Sequence, residues 1–143
     1  MGIVIGKFTG NYFYAILGSL IIDIDHTFAY IRHNLIFDPK KLLLSMFDPK
    51  DETGDQRGLF HNVFVWALIT GIVYYNFDYT VSITFSLAYL SHLLLDLLDS
   101  SDYYPFYPID YKIKGPIEYL SRYEFALSSI LFLLFLGLWY YYV

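Results

Sequence analysis

The sequence contains no cysteine, so neither a disulfide framework nor a thiolate metal site is open to it. Positive charge is also scarce: 9 Lys and Arg stand against 14 Asp and Glu, a net charge of −5. A nucleic-acid partner wants a basic stripe, and this balance argues against one. The first residues, Met1-Gly-Ile-Val-Ile-Gly-Lys-Phe-Thr-Gly-Asn11, lack both a basic leading region and a small-residue cleavage site. They read as the start of the mature chain and not as a removable signal. No internal repeat and no low-complexity linker is visible, so residues 1–143 read as one unit.

What is present is apolar. Hydrophobic residues make up 57% of the chain and aromatics 22%, above the roughly 45–50% apolar share of a soluble domain. Four apolar segments stand out, Ile3 to Ile22, Leu59 to Tyr75, Thr80 to Leu98 and Arg122 to Val143. A membrane span needs about 20 such residues. Together they predict an all-α integral membrane four-helix bundle with two long loops, 27–58 and 99–121. Within the first loop, Asp38-Pro39 and Asp48-Pro49 predict turns, and Lys40 to Phe47 predicts a short amphipathic helix in the interface. Eight of the nine Lys/Arg lie in or at the edges of the two loops, the exception being Lys7. The positive-inside rule then makes both loops cytoplasmic and puts both termini outside. Tyr12, Tyr14, Tyr74, Tyr75 and Trp139 to Tyr142 fall at the outer ends, as an aromatic belt would.

Against this background the third segment is unusual. Its stretch Ser86 to Asp99 is a greasy helical sequence interrupted by His92, Asp96 and Asp99. Positions i, i+4 and i+7 share a helix face, so one imidazole and two carboxylates form a single polar stripe. Ionisable groups inside a membrane are expensive and usually face a partner or a cavity. Candidate partners lie at matching depths if the spans are right. Asp23, Asp25 and His26 close the first segment, and His61 opens the second. Imidazole plus carboxylate without thiolate suits Zn²⁺, with Mn²⁺ or Fe²⁺ as alternatives, whereas Mg²⁺ prefers oxygen ligands. In a continuous helix Asp23 and Asp25 point about 200° apart, at 3.6 residues per turn, so both reach one site only if the helix breaks there. The expected metal ligands are Asp23, His61, His92 and Asp96. Asp25 and His26 serve either as further ligands or as supports behind them.

At these residues the chain resembles the predicted membrane-bound metal-dependent hydrolases, also described as LexA-binding, inner-membrane-associated hydrolases. The matching elements are Gly18-Ser-Leu-Ile-Ile-Asp-Ile-Asp-His26, Arg57-Gly-Leu-Phe-His-Asn62, and Ala88-Tyr-Leu-Ser-His-Leu-Leu-Leu-Asp96 followed by Tyr104-Pro-Phe-Tyr-Pro108. Ile22, Asn62 and Asp99 stand where that family usually has proline, serine and threonine. The resemblance implies a metal-site membrane protein with hydrolase chemistry. A bound divalent ion would acidify a water to a pKa of about 7. Asp25 or Asp99 is the expected acceptor of that water's second proton, and Arg57 the expected holder of an anionic substrate group. At headgroup depth the expected partners are membrane lipid and a phosphoester, carried by a lipid or by a membrane-associated metabolite. The alternative is a structural or transported ion at the same ligands.

Overall fold

A computed structural model describes residues 1–46, 57–118 and 120–141. Among them the chain is helical, in the order α1 (Gly2–Thr9), α2 (Tyr12–Leu20), a 3-10 turn (Ile21–Asp23), α3 (Ile24–Arg32), α4 (Pro39–Met46), α5 (Val63–Asn76), α6 (Tyr79–Asp96) and α7 (Arg122–Tyr141). No strand forms among the described residues. Two isolated bridges, Asp99 with Ile117 and Tyr103 with Ile113, fold the loop after α6 back on itself.

Helix α6 is the central element, with α1, α2 and α5 packed around it. The side chain of Asp78 starts it by accepting from the Val81 N–H at 3.0 Å. Helices α2 and α6 meet at Gly18, where a Cβ would lie 2.5 Å from the Phe85 carbonyl oxygen and 3.2 Å from Ala88 Cβ. Small residues at such a crossing let two backbones approach, the usual device of helices in lipid. Below the crossing Ile22, Phe85, Tyr89, Leu93 and Tyr103 form the buried core.

The expectation of four spans is met for two segments. Tyr12–Arg32 and Arg122–Tyr141 are long and apolar enough to cross a membrane. Helix α5 is apolar but has 14 residues, ~21 Å at 1.5 Å per residue against a hydrocarbon core of about 30 Å. Helix α6 has 18 residues, and its serines, threonines, His92 and Asp96 dilute its apolar character. The first span also differs in its limits. Gly10 adopts a left-handed φ of 75° and ends α1, so the long segment begins at Tyr12 and continues through Asp23, Asp25 and His26 to Arg32.

Asp38-Pro39 opens a helix instead of only a turn. Asp38 Oδ1 accepts from the Lys40 and Lys41 N–H groups at 3.2 Å each, with Pro39 at the first helical position. The resulting α4 matches the expected amphipathic helix as far as Met46. Phe47 and Asp48-Pro49 lie outside the described residues.

The outer faces are apolar: no residue of α5 or α7 is buried, and Leu68, Ile72, Phe132, Leu133 and Leu134 are all more than half exposed. Exposed apolar surface of this extent suits a lipid environment. The two ends of the body differ in kind. At one end Tyr14 packs edge-on against Phe77 at 5.6 Å and Lys7 Nζ sits 4.5 Å above the Trp139 ring. The opposite end holds the polar cluster.

Candidate metal centre

The cluster begins with a change of helical pitch. The 3-10 turn Ile21–Asp23 interrupts the long first segment, but Asp23 and Ile24 keep helical dihedrals, so Asp23 and Asp25 still diverge. Asp23 then lies at the exposed edge of the cluster, and Asp25 faces inward.

Asp25 is nearly fully buried. Its Oδ2 accepts the Phe60 N–H at 2.7 Å and the His61 N–H at 3.1 Å, and meets His61 Nδ1 at 2.9 Å. The turn carrying His61 approaches closely because residue 58 is glycine: a Cβ there would lie 3.2 Å from Asp25 Oδ1. A carboxylate can only accept, so in the neutral ring Nδ1 of His61 carries the proton and Nε2 keeps a free lone pair. The same argument fixes His92, whose Nδ1 lies 2.8 Å from the Ser19 carbonyl oxygen. Two imidazoles therefore present Nε2 lone pairs, each oriented by a partner on its other nitrogen, as ligating histidines are.

Asp96 completes the inner set. Its Oδ2 is 3.7 Å from His61 Nε2 and 4.0 Å from His92 Nε2. These distances are too long for hydrogen bonds, and Asp96 Oδ2 is buried without a hydrogen-bond partner among the described residues. Buried polar atoms are seldom left so. Donors placed about 2.0–2.1 Å from a tetrahedral zinc lie ~3.3–3.4 Å apart, so Asp96 Oδ2 would have to approach the two imidazoles by ~0.3–0.7 Å to share such an ion. Asp23 Oδ1 is 3.6 Å from His92 Nε2 and 3.8 Å from His26 Nε2.

The four expected ligands and His26 thus come together, but as two sets that share His61. His61, His92 and Asp96 form one, and Asp23, His26 and His61 the other, with donor atoms within 4.8 Å of one another in each. Because Nδ1 of His61 is held by Asp25, that residue has one nitrogen to offer. The first set is the more enclosed, since the Asp23 and His26 side chains are 40% and 30% exposed.

Of the three residues expected to act beside the metal, the two carboxylates are engaged by other groups and Arg57 is paired through one of its nitrogens. Asp25 is not a free carboxylate, because Oδ2 already holds three groups. Asp99 is not free either. Its Oδ2 accepts from Arg57 Nη2, while its Oδ1 accepts from the backbone N–H and hydroxyl of Ser101 at 3.1 and 3.2 Å. Arg57 is the counter-ion of this end, with Nη2 also 3.8 Å from Asp96 Oδ1, whereas its Nη1 is buried and unpaired. Asn62 caps α5, accepting from Phe64 and Val65 and donating to the Tyr107 carbonyl at 2.7 Å. It ties the proline-aromatic loop to the helix that follows His61.

That loop contributes a residue the sequence did not single out. Tyr103 is 1% exposed, its ring centre lies 5.8 Å from Arg57 Cζ, and its hydroxyl has no partner. Burial, and then the nearby Asp96 carboxylate, push its phenol above the ordinary tyrosine range, against the pull of Arg57. As one of 16 tyrosines it carries no sequence signal of its own. Its neighbour Asp102 is exposed and held below the usual carboxylate range by hydrogen bonds from Lys114 and Lys112.

In comparison with known proteins, residues 3–143 match the family model described as YdjM inner membrane protein. No curated protein and no solved structure matches.

Proposed function

The chain belongs to the YdjM inner membrane protein family, and on that premise we propose that it is a multi-pass, four-helix membrane hydrolase dependent on a divalent metal. The observation that carries this reading is the buried, unpaired Asp96 Oδ2 facing the free Nε2 atoms of His61 and His92. Two histidines and one carboxylate are a common ligand set for catalytic zinc, which keeps a further position open. The ion is zinc first, with manganese or iron as alternatives. When bound, it would supply Lewis acidity and a more acidic water.

The chain's own residues divide the remaining work. Asp25 and the Ser19 carbonyl hold the two imidazoles in the ligating tautomer. Arg57 Nη2 lies 3.8 Å from Asp96 Oδ1, a nearby positive charge on the side away from Oδ2. Asp23 and His26, at the exposed edge, are the groups placed to exchange a proton with solvent, in place of Asp25 and Asp99. The reaction is hydrolysis of a phosphoester of a lipid or membrane-associated metabolite. The water oxygen bonds to phosphorus, the ester P–O bond breaks, and the water's proton passes by way of His26 to the departing alcohol. The distribution of Lys and Arg puts the site on the cytoplasmic side.

Elemental analysis of the protein purified in detergent tests the reading. One zinc, manganese or iron per chain, together with metal-dependent phosphoesterase turnover, is the expected result. A chain that binds no divalent metal overturns it. Bound metal with a coordination sphere filled by protein and no turnover would mark a structural ion instead.

A further inference from the structure

Two buried donors beside the candidate metal ligands lack acceptors among the described residues: Arg57 Nη1 and the Tyr103 hydroxyl. Arg57 is anchored by Asp99 through its other nitrogen. Tyr103 is anchored by its backbone, which exchanges hydrogen bonds with Ile113 at 3.1 and 2.8 Å. Arg57 Cζ lies 5.8 Å from the centre of the Tyr103 ring, so the two groups are neighbours. Leaving a buried donor unpaired costs about 1–3 kcal/mol, more for a charged one, so two on neighbouring side chains point to an acceptor that arrives from outside.

The acceptor has a definable chemistry. It meets a guanidinium N–H, which favours the oxygens of phosphate or carboxylate, and a phenolic O–H. It sits beside Asp96, whose Oδ2 faces the proposed ion, so an anion there would bridge the two donors and the metal set.

We propose that Arg57 Nη1 and the Tyr103 hydroxyl form a two-donor cradle for the phosphoryl oxygens of the substrate, which makes Tyr103 a substrate-binding residue. This rests on the hydrolase reading for the identity of the substrate but not for the existence of the anion site. The Asp23, His26 and His92 edge is the open side. His61, Asp96, Arg57 and Tyr103 form the enclosed wall behind it. The scissile phosphoryl group enters past the edge and rests its non-bridging oxygens on the wall.

The test is inorganic phosphate binding to the full chain in detergent, followed by thermal shift with and without added zinc, for wild type and for Tyr103→Phe. Wild type is expected to gain stability saturably with phosphate. Tyr103→Phe is expected to bind phosphate about tenfold more weakly, the loss of one hydrogen bond to a charged acceptor. Its metal content should be unchanged, and its stability without phosphate equal to or above wild type, because the substitution removes an unpaired buried hydroxyl. A purely structural hydroxyl would instead lower stability and leave phosphate affinity alone, which overturns the cradle. So does a wild-type protein that binds metal but does not respond to phosphate, the result expected if water fills the place. A protein that binds phosphate through Tyr103 but holds no metal keeps the cradle and removes the hydrolase reading. Comparing glycerol phosphate with a short-chain phosphatidic acid then separates a soluble phosphate from a lipid headgroup, the tighter ligand naming the source.

Discussion

Asp25 grips His61 at two points: the same carboxylate oxygen meets the ring Nδ1 at 2.9 Å and accepts the backbone N–H at 3.1 Å. One buried charge thereby fixes both the position of the residue and its tautomer. The arrangement converts a helix residue 36 positions away into the orienting group of a ligand. It also separates two roles that the sequence leaves together, since Asp25 supports the site and Asp96 faces its centre.

Replacing that charge should be felt at the metal before it is felt in the fold. Asp25→Asn keeps the size of the group and is expected to weaken zinc affinity about 10–100-fold, the usual effect of losing a partner behind a ligand. Asp25→Ala also strands the Phe60 and His61 donors and should lower stability by about 2–3 kcal/mol. Zinc titration and chemical denaturation in detergent measure the two effects. Unaltered zinc affinity in Asp25→Asn would remove Asp25 from the site.

The two donor sets predict unequal histidines. His61→Ala and His92→Ala are expected to abolish stoichiometric metal binding, because each supplies an Nε2 that faces Asp96 Oδ2. His26→Ala is expected to retain one ion per chain and to lose turnover. Metal content of the three purified variants decides the matter. Loss of the ion in His26→Ala, or two ions per chain in wild type, would move His26 and Asp23 from proton exchange into ligation.

Arg57 calls for a conservative substitution. Removing one partner of a buried charge group is destabilising by about 3–5 kcal/mol, and Arg57 pairs with Asp99 and approaches Asp96. Arg57→Ala is therefore expected to lower thermal stability and metal content together, whereas Arg57→Lys restores the charge and part of the stability. Thermal unfolding with parallel metal analysis reads both. An Arg57→Ala protein as stable as wild type would show that the ion pair is dispensable.

The crossing of α2 and α6 leaves no room at Gly18. Gly18→Ala should force the helices apart and destabilise by about 1–3 kcal/mol, as overpacking does. Gly71 in α5 has open space around it, so Gly71→Ala should be neutral or stabilising by about 0.5–1 kcal/mol through helix propensity. Denaturation of the two variants side by side checks the packing; equal stability would mean that α2 and α6 are not in contact there.

Orientation follows from charge alone. The C-terminus is expected outside the cytoplasm, with loops 27–58 and 99–121 inside; the N-terminus departs from the charge-based expectation, because α1 folds back along α2 and sets Gly2 against Ser19, at the end that carries the site. Reporter fusions at the C-terminus give the answer directly, and a cytoplasmic C-terminus would move the site to the other face.

The sequence by itself determined the chemistry available and the apolar class of the chain. Without cysteine, a metal could be held only by imidazole and carboxylate, and the His92, Asp96 and Asp99 spacing was legible as one helix face because helical periodicity is local. The divergence of Asp23 and Asp25 was legible for the same reason. Tertiary structure decided what each group does, since that depends on neighbours distant in the chain. Asp25 and Asp99 look like free acids in the sequence but are engaged by His61 and Arg57, 36 and 42 residues away. Gly10-Asn11 carries a turn signal that the reading of one segment from Ile3 to Ile22 passed over. Tyr103 could not be found at all: its significance lies in a missing hydrogen bond beside Arg57, and an unpaired group exists only where three-dimensional packing has removed the water.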